Sequence, residues 1–127
     1  MSLLENFKVF NFNEGVPYVS VTNNGITFNK SVVMKMGYPE YVIFLIDELT
    51  RRIAIQTSDE NTTNSVAFYK QKKSNVISVR WNGRDLLNTI SDMMNWNLEE
   101  KAYRMDGKLL TEERAMIFDL NEAVELK

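Results

Sequence analysis

The chain has 127 residues, of which 44% are hydrophobic, 11% aromatic and 25% charged, with a net charge of -2. That length and apolar content suit one compact domain spanning 1–127 and exclude a disordered chain. Cys and His are both absent, which removes disulfides, thiolate nucleophiles, Cys or His metal sites and Ser-His-Asp triads.

A chain-order reading predicts first a strand over Phe7–Phe12, then an alternating strand over Tyr18–Val21 that runs into a turn at Asn24-Gly25. A short helix follows, its stripe formed by Val32, Val33 and Met36 and its end set by Gly37 and Pro39. Tyr41–Ile46 and Arg52–Gln56 read as a hairpin around Asp47–Thr50, with continuous apolar character that predicts cover on both faces. A polar loop at Thr57–Ser65 leads to a connecting strand at Val66–Tyr69. Val76–Trp81 is the next strand, ending in a turn signal at Asn82-Gly83. Leu86, Leu87, Ile90, Met93 and Met94 then form one helical stripe, started by Asn82 or Asp85 and closed by Asn95 in a left-handed conformation. Ala102–Met105 and Lys108–Leu110 flank Asp106-Gly107, a hairpin-turn signal. Ala115–Leu120 is a last strand, and Asp119 with Glu122 can cap a final turn.

These elements repeat. At an offset of 58, Ser20 meets Ser78, Val21 meets Val79, Asn24 meets Asn82, Gly25 meets Gly83 and Met36 meets Met94. Val32 likewise meets Ile90, and Tyr38 meets Trp96. The expected fold is therefore α+β and strand-rich. Two tandem strand–turn–helix–hairpin units, approximately 16–56 and 74–120, would form one pseudo-symmetric β-barrel-like domain.

Val21-Thr-Asn-Asn-Gly-Ile-Thr-Phe28 resembles the strand–Gly–strand entry of the AbrB/MraZ/SpoVT swapped-hairpin family. Lys30 to Gly37 resembles its helix, Tyr41–Gln56 its closing hairpin, and the tandem is similar to MraZ. The chain departs from the family pattern at Asn29, where Pro is usual, and at Ile26, where a basic residue is usual; Asn95-Trp96 replaces the second Leu-Gly step. The resemblance implies a bacterial or phage DNA-binding regulator that works as a dimer or larger ring. Carried over by position, its contact residues would be Lys30, Lys35 and Arg84.

Charge placement adds to that set. Residues 51–80 hold six basic and two acidic residues, whereas 81–127 hold six and ten. Arg51, Arg52, Lys70, Lys72, Lys73 and Arg80 join the candidates for phosphate contact with double-stranded DNA. Phe68–Lys73 reads either as a single-strand stacking platform or as an edge strand with its ring in the core and its lysines in water. Adjacent carboxylates such as Glu99-Glu100 and Glu112-Glu113 point to opposite faces of a strand, a poor arrangement for acid–base work. No phosphate-loop or nucleophile-elbow pattern occurs. The expectation is a non-catalytic, cytoplasmic DNA-binding or regulatory module with no cofactor, metal, small-molecule ligand or membrane partner, assembling as a homodimer or higher homo-oligomer. The alternative is a protein-interaction module that binds no nucleic acid. A sedimentation mass near 15 kDa at micromolar concentration would exclude the oligomer.

Overall fold

A computed structural model describes residues 3–7, 15–70 and 77–126. The Phe7–Phe12 strand expectation lies outside these residues apart from Phe7, which is exposed and not in a strand. Val76, Lys72 and Lys73 also lie outside them.

The described chain forms β1 (Tyr18–Thr22), β2 (Gly25–Phe28), α1 (Lys30–Lys35), β3 (Tyr41–Asp47), β4 (Arg52–Ser58) and β5 (Ser65–Ala67). It continues through β6 (Val79–Trp81), α2 (Arg84–Met94), β7 (Ala102–Leu110), β8 (Ala115–Asp119), a 3-10 turn at Leu120–Glu122 and β9 (Val124–Leu126). The strands pair antiparallel in the order β5-β3-β4-β8-β7-β1-β2-β6, with β9 added to β7. The result is a strand-rich α+β fold built on a curled half-barrel. Its end strands approach one another, and the Trp81 indole N–H donates to the Ala67 carbonyl at 3.3 Å.

Alternation builds the core. Val19 and Val21 of β1, Ile26 and Phe28 of β2, Ile53 and Ile55 of β4, and Met116 and Phe118 of β8 are all buried. The helices add Val32, Val33, Leu87 and Ile90, and each such side chain contributes roughly 1.5–3 kcal/mol by leaving water. Phe28 sits at the centre, meeting Phe68, Trp81 and Phe118 at ring-centroid distances of 5.4, 5.0 and 5.8 Å.

Asn29 explains why α1 starts where it does. Its side-chain oxygen accepts from the N–H groups of Val32 and Tyr18, while its amide donates to the Val16 carbonyl. Proline could make none of these side-chain bonds. At the other end Gly37 takes φ 80, and the Tyr38 N–H closes on the Val33 carbonyl at 2.9 Å. Asn95 ends α2 the same way at φ 56, with the Trp96 N–H on the Ser91 carbonyl at 3.0 Å. The offset of 58 thus aligns both helix ends.

The structure corrects four expectations. Asp106-Gly107 is not a turn, because β7 runs through it without a break. A Cβ on Gly107 would lie 2.6 Å from Met116 Sδ and 2.8 Å from Phe118 Cε1. The glycine answers close packing rather than a positive φ. At this point β7 changes partner, from β1 up to Asp106 to β8 from Gly107 onward. Asn82-Gly83 is not a hairpin turn either: Gly83, at φ -64, leads straight into α2. Neither Asn82 nor Asp85 caps that helix, since Gly83 holds the cap position and no side chain bonds there. Finally, β3 is not covered on both faces; Leu45 remains 43% exposed.

Both hairpins close with four-residue loops, one between Asp47 and Arg52 and the other between Leu110 and Ala115. Each loop ends on a left-handed arginine, Arg51 at φ 59 and Arg114 at φ 53. Arg51 and Arg114 are 63 positions apart, so the offset grows from 58 by five residues after the helices (63 − 58 = 5). Where β4 meets β8 the hydrogen bonding repeats at that offset. The Thr57 N–H donates to the Arg114 carbonyl at 2.9 Å, and the Leu120 N–H donates to the Arg51 carbonyl at 3.0 Å.

Candidate nucleic-acid interface

Strand β6 organises the basic edge. Val79 points inward at 7% exposure, so its neighbour Arg80 points out, as strand alternation requires. β6 pairs with β2, placing Arg80 opposite Thr27. The Arg80 Nε–H donates to the Thr27 hydroxyl at 3.2 Å. Three residues beyond Trp81, Arg84 opens α2, and its guanidinium donates to the Asn23 side-chain oxygen at 3.3 Å in the β1–β2 loop. Lys70 follows β5 and shares a groove of about 220 Å³ with Tyr69, Ser78, Arg80 and Trp81.

The partners of these cations matter. Arg80 and Arg84 are held by neutral oxygens, which orient the guanidinium without cancelling its charge. Other cations face carboxylates: Arg52 lies 3.9 Å from Asp47, Lys101 3.0 Å from Glu125, and Arg104 3.7 Å from Asp106. Glu125 raises the Lys101 pKa through its hydrogen bond and its charge. Asp47 is held below the ordinary carboxylate value, first by the Thr50 side chain and then by the Thr50 backbone N–H.

Of the nine sequence candidates, the structure brings Lys70 and Arg80 into one groove, with Arg84 on the adjoining helix. Arg51 and Arg52 stand at the β3–β4 hairpin tip, and Lys30 and Lys35 at the two ends of α1. Lys72 and Lys73 lie outside the described residues. Phe68–Lys70 divides its roles: Phe68 is buried at 6% exposure, while Lys70 is exposed.

Sequence reasoning missed a second concavity beside this edge. Tyr38, Glu40, Tyr41, Tyr69 and Lys70 line a cavity of about 470 Å³. These residues come from the end of α1, the start of β3 and the stretch after β5, so no local spacing signals the cluster. Among the described residues no group of three or more acidic side chains could hold a metal ion, and no helix is long and apolar enough to cross a membrane. No known protein family, characterised protein or solved structure matches this chain.

Proposed function

We propose that this chain is a non-catalytic DNA-binding module of AbrB/MraZ type, built from two tandem helix–hairpin units, and that Lys70, Arg80 and Arg84 supply its phosphate contacts. The observation that carries the reading is the neutral anchoring of Arg80 on Thr27 and Arg84 on Asn23 along one edge. Oriented but uncancelled guanidinium groups suit phosphate oxygens. The tandem arrangement is supported by the shared helix ends at offset 58 and the matched hairpins at offset 63.

Three phosphate contacts predict a slope of about -2.7 for log affinity against log salt, because each contact releases counterions. A salt titration of labelled duplex DNA tests this. Arg80→Ala and Arg84→Ala should each reduce the slope by about 0.9, while Arg51→Ala should leave it unchanged. Absence of affinity at about 50 mM salt would sink the reading. In that case the second reading stands, a protein-interaction module. It is favoured by the placement of Arg51 and Arg52 on a separate hairpin, where Asp47 faces Arg52.

A further inference from the structure

We infer that the tyrosine-lined cavity is a nucleobase pocket that takes a guanine nucleotide, with Glu40 accepting from the base and Lys70 holding the phosphate. Its volume of about 470 Å³ falls within the range of small-ligand sites, roughly 300–1,000 Å³. Tyr38, Tyr41 and Tyr69 all line it, which supplies aromatic surface for a base, and stacking of this kind tolerates solvent at the rim.

The walls are fixed before any ligand arrives. The Phe68 N–H donates to the Glu40 carbonyl at 2.8 Å, and the Tyr69 N–H donates to the Pro39 carbonyl at 3.1 Å. The two segments carrying Glu40 and Tyr69 are thereby tied to each other, and Phe68 anchors one of them in the core. The Tyr38 ring meets Tyr69 edge to face at 5.4 Å. Tyr38 does this from a left-handed backbone, φ 57, that a bulky residue rarely adopts. Gly or Asn would adopt that conformation more readily, and Gly37 already terminates the helix. A ring kept there in spite of its backbone conformation points to a use for the ring.

The polar groups select among ligands. Glu40 as a carboxylate is acceptor-only, and guanine presents two adjacent N–H donors on its Watson–Crick edge, which suits bidentate pairing. Lys70 supplies one positive charge at the same rim. Tyr69 and Lys70 also line the groove that contains Arg80, so a nucleotide chain leaving the cavity would meet that arginine next. The pocket shares only Lys70 with the duplex-binding reading and does not depend on it.

The test is calorimetric or NMR titration of the full chain with guanosine 5′-monophosphate, guanosine, cytidine 5′-monophosphate and inorganic phosphate. Saturable binding of the guanine nucleotide is expected, several-fold tighter than the cytidine nucleotide, with inorganic phosphate alone leaving the tyrosine resonances unmoved. Tyr38→Asn removes the ring while suiting the left-handed backbone, and should weaken binding about tenfold with an unchanged melting temperature. Glu40→Gln should erase the preference for guanine, and Lys70→Ala should weaken the nucleotide but leave guanosine unaffected. Arg80→Ala should leave mononucleotide affinity intact even where duplex affinity falls, which separates this inference from the preceding one. Guanine-nucleotide binding weaker than ~1 mM, or equal affinity in Tyr38→Asn, would overturn it.

Discussion

The two hairpins agree in backbone and disagree in filling. β3–β4 and β7–β8 have the same loop length, and the same left-handed arginine ends each loop. At the offset of 63, however, Gly107 of β7 stands where β3 carries Phe44. The strand opposite compensates. Phe44 faces Ile53 and Ile55 on β4, whereas Gly107 faces Met116 and Phe118 on β8. A ring is supplied by the first strand in one hairpin and by the second strand in the other. Cores accept exchanges of this kind because they constrain total volume more tightly than the position of any one side chain.

The helix entries differ more deeply than the hairpins. Gly25 and Gly83 match in sequence, yet Gly25 opens β2 at φ 147 and Gly83 opens α2 at φ -64. A Cβ on Gly25 would fall 2.5 Å from the Trp81 carbonyl oxygen, while nothing lies within 4 Å of the same atom on Gly83. Sequence identity here conceals two unrelated demands, one for a close backbone approach and the other for nothing more than an extended cap.

The hairpin comparison is broken most severely by Gly107→Phe, which places a ring into space already filled by Met116 and Phe118. Chemical denaturation should show a loss of more than ~3 kcal/mol, at or beyond the upper end of ordinary overpacking. Adding Met116→Ile and Phe118→Ile would transplant the filling of the first hairpin and should restore stability to within about 1.5 kcal/mol of the parent. Failure of the triple variant to recover would mean that the hairpins match in backbone only.

A smaller effect is expected at the matched glycines. Gly25→Ala should cost about 2–3 kcal/mol, since its contact is with backbone oxygen and its φ is unfavourable for a side chain. Gly83→Ala should stay within roughly 0.5 kcal/mol, as melting curves of the pair would show. Equal losses would contradict the different roles assigned to them.

The mildest contrast concerns acid. Asp47 has a lowered pKa in the folded chain, so its stabilisation is present above the ordinary value of 3.8 and is lost as pH falls through the depressed value. The Leu49 and Thr50 N–H groups, which donate to Asp47 Oδ1 at 3.1 and 3.2 Å, should then lose protection in hydrogen exchange. The equivalent position in the second hairpin is Leu110, which cannot titrate. Its loop amides at Glu113 and Arg114, bonded to the carbonyls of Leu110 and Thr111, should not respond to the same group. A response of equal size in both loops would show that general acid loosening, not Asp47, governs the tip.

Much of the local structure was legible in the sequence because its causes are local. The apolar run Tyr41–Ile46 and the spacing of Leu87 and Ile90 located β3 and α2, and Asn95 announced its left-handed helix end. The 58-residue match also found the aligned helix termini. The matched hairpins escaped it, because at offset 63 buried Ile53, Ile55 and Val42 correspond to buried Met116, Phe118 and Met105 without identity, and Arg51 with Arg114 is a single match too isolated to detect. The candidate interface was half legible for the same reason. Charge counting selected Arg80 and Lys70, and the family resemblance selected Arg84, but the neutral partners of the two arginines come from a hairpin more than 50 residues away.

Composition and periodicity therefore determined that this is a strand-rich α+β chain without cysteine or histidine chemistry, and they placed most of its elements. The tertiary structure alone decided that Gly107 is a packing contact rather than a turn, that three tyrosines from separate elements share one cavity, and which arginines keep their charge uncancelled. Turn propensity and hydrophobic spacing act between near neighbours in the chain. Close approach, cavity lining and charge pairing depend on strand register, which is fixed only when distant strands meet.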